Sequence, residues 1–157
     1  MLRKLILISN KMSITEDFLS SSEEQEIVAA IVKAEKETSG EIRVHIEEHS
    51  DLPVLERAQE VFKMLQMHKT SARNGVLFYI GVKDRHFAII GDDGIDAVVP
   101  YDFWENTKKT VIDHFKANNF KQGIIAGILQ SGKQLKHFFP YNGKDDVNEL
   151  PNEISRG

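Results

Sequence analysis

Seven consecutive residues with no polar break, Val76-Leu77-Phe78-Tyr79-Ile80-Gly81-Val82, stand between an Asn74-Gly75 turn and the polar triplet Lys83-Asp84-Arg85. A strand with apolar side chains on both faces needs cover on both faces, so this run is expected at the centre of a sheet flanked by helices. The short connection through Lys83-Asp84-Arg85 leads into His86-Phe87-Ala88-Ile89-Ile90, and the pair reads as a β-hairpin. Upstream, Glu41-Ile42-Arg43-Val44-His45-Ile46-Glu47 alternates strictly, with Ile42, Val44 and Ile46 on one face of a further strand.

The remaining elements follow helical periods. Ser20-Ser21-Ser22 followed by Glu23-Glu24 supplies a hydroxyl cap and first-turn carboxylates, and Ile27, Ala30, Ile31 and Ala34 continue the apolar stripe to a stop at Gly40. Pro53 opens a second helix with Leu55, Ala58, Val61, Phe62 and Leu65 on one face. Beyond Asp92-Asp93-Gly94 come Phe103, Trp104, Thr107, Val111, Ile112 and Phe115. After Asn118-Asn119 a last helix carries Ile124, Ile125, Ile128, Leu129, Leu135 and Phe138, with Pro140 past its end. The order α-β-α-β-β-α-α predicts an α/β fold, a short mixed sheet covered by helices on both faces.

The 157 residues suit one domain, placed at residues 20–140. Residues 1–19 read as an N-terminal extension. Their apolar stretch, Leu5-Ile6-Leu7-Ile8, is shorter than a secretory core and no small-residue cleavage site follows, so a cytoplasmic location is expected. Residues 141–157 are polar and aperiodic and are expected to be a disordered tail. No apolar run approaches a membrane span. The absence of cysteine excludes a disulfide scaffold, a thiolate metal site and a Cys nucleophile. With 20 Lys+Arg against 24 Asp+Glu, nothing in the overall charge calls for a nucleic-acid partner.

Topology turns these elements into a candidate site. A strand–helix–strand unit makes the first two strands parallel, and the hairpin returns the third. The carboxyl end of the third strand then meets the amino ends of the other two, bringing Glu41, Asn74, Asp92 and Asp93 towards one rim. Oxygen ligands on short turns, with Gly40, Gly75, Gly91 and Gly94 allowing close backbone approach, suit a hard divalent cation, Ca²⁺ or Mg²⁺. The same residues also read as turn formers, with Asp92 or Asp93 capping the following helix. An EF-hand loop is excluded because its alternating acids and closing Glu are missing.

Other chemistries lack their spacing. The six histidines form no His-Glu-x-x-His motif, and no Gly-x-Ser-x-Gly elbow, Walker loop or dinucleotide fingerprint occurs. Trp104 reads as a core anchor, and the lysines of the last helices as a solvated face. Arg73, beside the rim, could hold a phosphate or make a surface ion pair.

Taken together, Thr38-Ser39-Gly40-Glu41-Ile42-Arg43-Val44, Asn74-Gly75-Val76-Leu77-Phe78-Tyr79-Ile80, Asp84-Arg85, Gly91-Asp92-Asp93-Gly94-Ile95 and Phe120-Lys121-x-Gly123-Ile124 resemble the TPM domain, a family of thylakoid lumen acid-phosphatase-like and bacterial proteins. The resemblance runs from about residue 22 to 139. It implies a three-layer α/β/α sandwich, divalent-metal binding at the Gly-Asp rim, and a weak phosphatase activity in some members. Carried over to this chain, the implied ligands are Asp92 and Asp93, with Asn74 and Glu41 nearby. Two functions are thereby expected in competition. One is a non-catalytic or accessory cation-binding module that serves protein assembly or maintenance through an unidentified protein partner. The other is a metal-assisted phosphomonoester hydrolase in which Asp92 is the base and Arg73 holds phosphate.

Overall fold

The structure is a computed structural model that describes residues 18–143 and 147–157. Helix α1 (Ser21–Ala34) starts on a reciprocal cap: Glu23 N–H donates to Ser20 Oγ at 3.1 Å and Ser20 N–H to Glu23 Oε1 at 2.9 Å. Strand β1 (Glu41–Glu47), helix α2 (Val54–Met64), a 3₁₀ turn (Met67–Lys69) and strands β2 (Gly75–Gly81) and β3 (His86–Gly91) follow. A four-residue helix α3 (Asp93–Asp96) leads to α4 (Glu105–Lys116) and α5 (Phe120–Leu135), and the chain ends in a two-residue strand β4 (Ser155–Arg156).

The sheet order is β3-β2-β1-β4. Strand β1 is parallel to β2 and to β4, and β2 is antiparallel to β3. The all-apolar run is therefore an interior strand. Its even-numbered side chains, Val76, Phe78 and Ile80, join Ile42, Val44 and Ile46 in the larger core beneath α1, α4 and α5, together with Ile27, Ile31, Val111, Ile124 and Ile128. Its odd-numbered Leu77 and Tyr79 face Ala58, Val61 and Phe62 of α2 in a smaller core. Helices thus cover both faces, and the fold is the expected α/β sandwich. Close approach sets one position in α5: a Cβ on Gly127 would stand 2.5 Å from Val111 Cγ2 and 2.9 Å from Phe78 Cε2. Among the described residues no helix is long and apolar enough to cross a membrane.

The two ends of the chain bring one correction. Of the expected N-terminal extension, residues 1–17 lie outside the described residues, while Leu19 is buried in the larger core. The C-terminal segment, expected to be disordered, instead lies along the sheet edge. Leu150 is buried in the smaller core, and β4 pairs His45 with Ser155 and Ile46 with Arg156. Its composition hid this because two apolar contacts, Leu150 and Ile154, and a two-residue strand leave no period in the sequence.

That segment also changes β1. All seven of its residues are buried, including Glu41, Arg43, His45 and Glu47 on the face opposite the larger core. The alternation marked the apolar side correctly, but the polar side is covered as well.

Candidate functional site

Register places the rim. Glu41 lies opposite Gly75 and Val76 opposite Gly91, so the amino ends of β1 and β2 and the carboxyl end of β3 share one edge. Two backbone bonds fasten the three loops: Glu41 N–H donates to Asn74 O at 3.1 Å, and Asp92 N–H to Gly75 O at 2.9 Å. The first turn of α3 presses against the loop before β2. A Cβ on Gly94 would stand 2.3 Å from Ala72 O and 2.5 Å from Arg73 O, so only glycine fits there.

At this edge the candidate residues have separate partners. Asp92, 5% exposed, caps α3 by accepting from Asp93 N–H at 2.8 Å. Arg73 also grips it through both oxygens, Nε to Oδ2 at 2.8 Å and Nη2 to Oδ1 at 2.9 Å. The same Nη2 reaches Asp93 Oδ2 at 3.4 Å, and the Asp93 side chain is 86% exposed. Asn74 is buried; its amide donates to Ser39 O at 3.2 Å while its Oδ1 has no hydrogen-bond partner. Glu41 is engaged by the C-terminal segment. Its carboxylate accepts the backbone N–H of Glu149 at 2.6 Å and of Leu150 at 3.0 Å, and it lines a cavity of about 190 Å³ beside Thr38 and Tyr141.

Asp92 and Asp93 line a different cavity, of about 370 Å³, with Phe62, Trp104 and a third acid, Asp96. Burial pushes the Asp96 carboxyl above its usual range, and the negative charges of Asp93 and Asp92 push it further in the same direction. Sequence spacing did not single out Asp96; it sits four residues after Asp92, one turn along α3, and that helix is too short to show a period.

These groups bear directly on the ion that the resemblance implies. Among the described residues no three His, Asp or Glu side chains come together as a metal-holding group. Glu41 and the aspartates open on different cavities, so the four candidates do not fit a closed all-protein cage. Asp92 and Asp93 fit a looser arrangement, a hydrated ion held by one or two carboxylates. For phosphoryl chemistry the placement is unfavourable. The candidate base Asp92 and the candidate phosphate holder Arg73 are bound to each other, so each occupies the other's working atoms.

A second polar cluster escaped the sequence reading. At the carboxyl end of β1, Glu47 accepts Arg57 Nε at 2.8 Å and Arg57 Nη2 at 2.7 Å, and the Tyr79 hydroxyl also donates to it. His45 Nε2 lies 3.0 Å from Glu47 Oε1, and its Nδ1 lies 3.0 Å from Ser155 Oγ. Burial would raise the Glu47 carboxyl, but the hydrogen bonds from Arg57, Tyr79 and His45 prevail and hold it down at about 2. Burial also pushes the His45 imidazole down and, together with the charges of Arg57 and Arg43, outweighs the raising effect of Glu47. A neutral ring with its proton on Nε2 then donates to Glu47 and accepts from Ser155. The signal available was Glu47 alternating with His45 on β1, yet nothing in the sequence tied that face to Arg57 or Ser155.

Comparison with known proteins extends the picture. No curated protein matches the chain. Among solved structures, the solution structure of the BA42 protein from the psychrophilic bacterium Bizionia argentinensis is 51% identical, with a TM-score of 0.85 over 89% of this chain and 96% of that one. The N-terminal domain of a P. gingivalis protein shares the fold at 17% identity, with a TM-score of 0.65 over 80% of this chain and 82% of that one. The N-terminal domain of a Corynebacterium glutamicum protein shares it at 13% identity, with a TM-score of 0.58 over 80% and 76% of the two chains. The family model of the TPM domain matches residues 13–134, most of the chain, and the protein therefore belongs to the TPM domain family.

Proposed function

We propose that the protein is a non-catalytic accessory module of protein assembly or maintenance that takes a hydrated divalent cation, Mg²⁺ or Ca²⁺, at Asp92 and Asp93 and works through a protein partner. The observation that carries this reading is the concentration of acidic groups at one cavity: Asp92, Asp93 and Asp96 line it together, and the Asp96 carboxyl is raised first by burial and then further by the charges of Asp93 and Asp92. A divalent ion relieves repulsion between clustered carboxylates. One or two carboxylates with water completing the shell is the usual way in which Mg²⁺ is held.

The binding role is preferred to hydrolysis because no nucleophile–base pair of recognisable spacing accompanies the acids in the sequence, and holding a hydrated ion needs none.

Titration of the full chain with Ca²⁺ and with Mg²⁺, read by amide chemical shifts, tests the reading. Saturable shifts at Gly91–Gly94 that Asp92→Asn and Asp93→Asn abolish are expected. A linear, unsaturated response in the wild type would remove the cation from the reading. Cation-dependent turnover of a simple phosphate ester, lost in Asp92→Ala, would replace the accessory role with the hydrolase.

A further inference from the structure

We propose that Arg73 is an internal cation that competes with the metal for Asp92, neutralising part of the rim's charge until a divalent cation displaces the guanidinium. This rests on the cation-binding reading and adds its regulation.

The geometry of the pair carries the proposal. Arg73 engages both oxygens of Asp92 and reaches on to Asp93, so one guanidinium meets the two carboxylates expected to hold the ion. Exposure is divided unequally, with the Asp92 side chain at 5% and that of Arg73 at 46%. The arginine is the solvent-facing member, and a hydrated ion approaching Asp92 must contend with it.

The backbone on either side is fixed while the side chain is not. Arg73 has a left-handed conformation (φ 51°), unusual for a residue with a long side chain. Its carbonyl and that of Ala72 are packed against Gly94, which locks its loop to the start of α3. Release of Asp92 thus requires rotation of the half-exposed Arg73 side chain and no movement of either loop. Charge favours the exchange once an ion is present, because a single positive charge faces two carboxylates and a divalent ion balances both.

An arginine that merely ties two loops together would look similar, and the two roles separate on substitution. Arg73→Gln removes the charge but keeps a polar side chain. Competition predicts that this variant binds Mg²⁺ or Ca²⁺ about tenfold or more tightly than the wild type, within the range of ordinary coupled equilibria. A purely structural tie predicts lower stability with cation affinity unchanged or reduced. Calorimetric titration of both proteins with each metal alone gives the affinities. The Arg73 Nε–H resonance gives an independent readout: protected from exchange in ion-free wild type, it should lose protection as the ion saturates. Amide shifts away from the rim verify that the variant keeps the fold. Equal affinities, or a wild-type Nε–H signal unmoved at saturation, would overturn the competition and leave the cation reading standing. Absence of saturable binding in both proteins would overturn the cation reading itself, and the competition with it.

Discussion

The Glu47 carboxylate, buried at the end of β1, receives the Arg57 guanidinium from α2 in a two-pronged bond, Nε at 2.8 Å and Nη2 at 2.7 Å. A charge pair thus joins the central sheet to the helix covering its smaller core. Removing the Glu47 charge leaves the mostly buried Arg57 guanidinium with Glu60 as its carboxylate partner. Glu47→Gln is therefore expected to destabilise the fold by about 3 kcal/mol, the low end for a broken buried pair, in urea denaturation at neutral pH.

The same carboxylate fixes the acid limb of stability. Glu47 is held at about 2 against an ordinary 4.5, so its contribution is present above the unfolded value and is lost as pH falls from 4.5 towards 2. Denaturation followed between pH 6 and 2 should show a steep decline in the wild type. A flatter profile is expected in Glu47→Gln, which no longer has a carboxylate to protonate there. Parallel profiles would mean that other acids dominate.

Much of this frame was legible before any coordinates, and its limits are physical. The run Val76–Val82 demanded cover on both faces, and the turn after it fixed the reversal that carries Asp92 to the edge occupied by Asn74 and Glu41. Turn chemistry and side-chain periodicity are local properties, so a sequence displays them. Which carboxylate meets which partner is not local. Arg73 reaches Asp92 from 19 residues away, and Glu41 is claimed by backbone groups 108 and 109 residues away. The burial of Arg43, His45 and Glu47 likewise goes with a segment whose apolar anchors are Leu150 and the half-buried Ile154, and no spacing rule announces so few residues.

His49 supplies a second pH effect of opposite sign. Its Nδ1 lies 2.6 Å from Asp84 Oδ1 and its Nε2 lies 2.7 Å from Asp51 Oδ1. Only the imidazolium can donate from both nitrogens at once, and hydrogen bonding to Asp84 and then Asp51 raises the ring above its ordinary 6.5. The contribution is therefore complete below pH 6.5 and disappears as pH rises through the folded value. Titration of the ring carbon protons by NMR should give a midpoint above that of a model histidine. Asp84→Asn should bring it back towards the ordinary value, and a wild-type midpoint at or below the ordinary value would contradict the bridge.

The C-terminal segment offers a direct contrast between two apolar residues three positions apart. Leu150 is 7% exposed, in the core with Phe62 and Met67, whereas Val147 is 69% exposed. Leu150→Ala should cost about 2–3 kcal/mol and Val147→Ala no more than about 0.5 kcal/mol. Comparable small losses for both would show that the segment does not hold to the sheet in solution.

Gly127→Ala sets two effects of opposite sign against each other. Alanine in the interior of a helix is favoured over glycine by about 1 kcal/mol, and α5 would gain that much were the position open. Here the added methyl would stand 2.5 Å from Val111 Cγ2 and 2.9 Å from Phe78 Cε2, closer than carbon atoms approach in folded proteins. Val111 belongs to α4 and Phe78 to the interior strand, so relief requires α5 to move away from both at once. Overpacking of this kind costs about 1–3 kcal/mol, enough to cancel the gain in propensity and leave a net loss. Chemical denaturation should show Gly127→Ala less stable than the wild type. Measured in a Val111→Ala background, which has its own cavity cost, the Gly127→Ala penalty should be smaller, because truncating Val111 removes the nearer clash. A stabilised single variant would mean that α5 sits further from the sheet than its glycine implies.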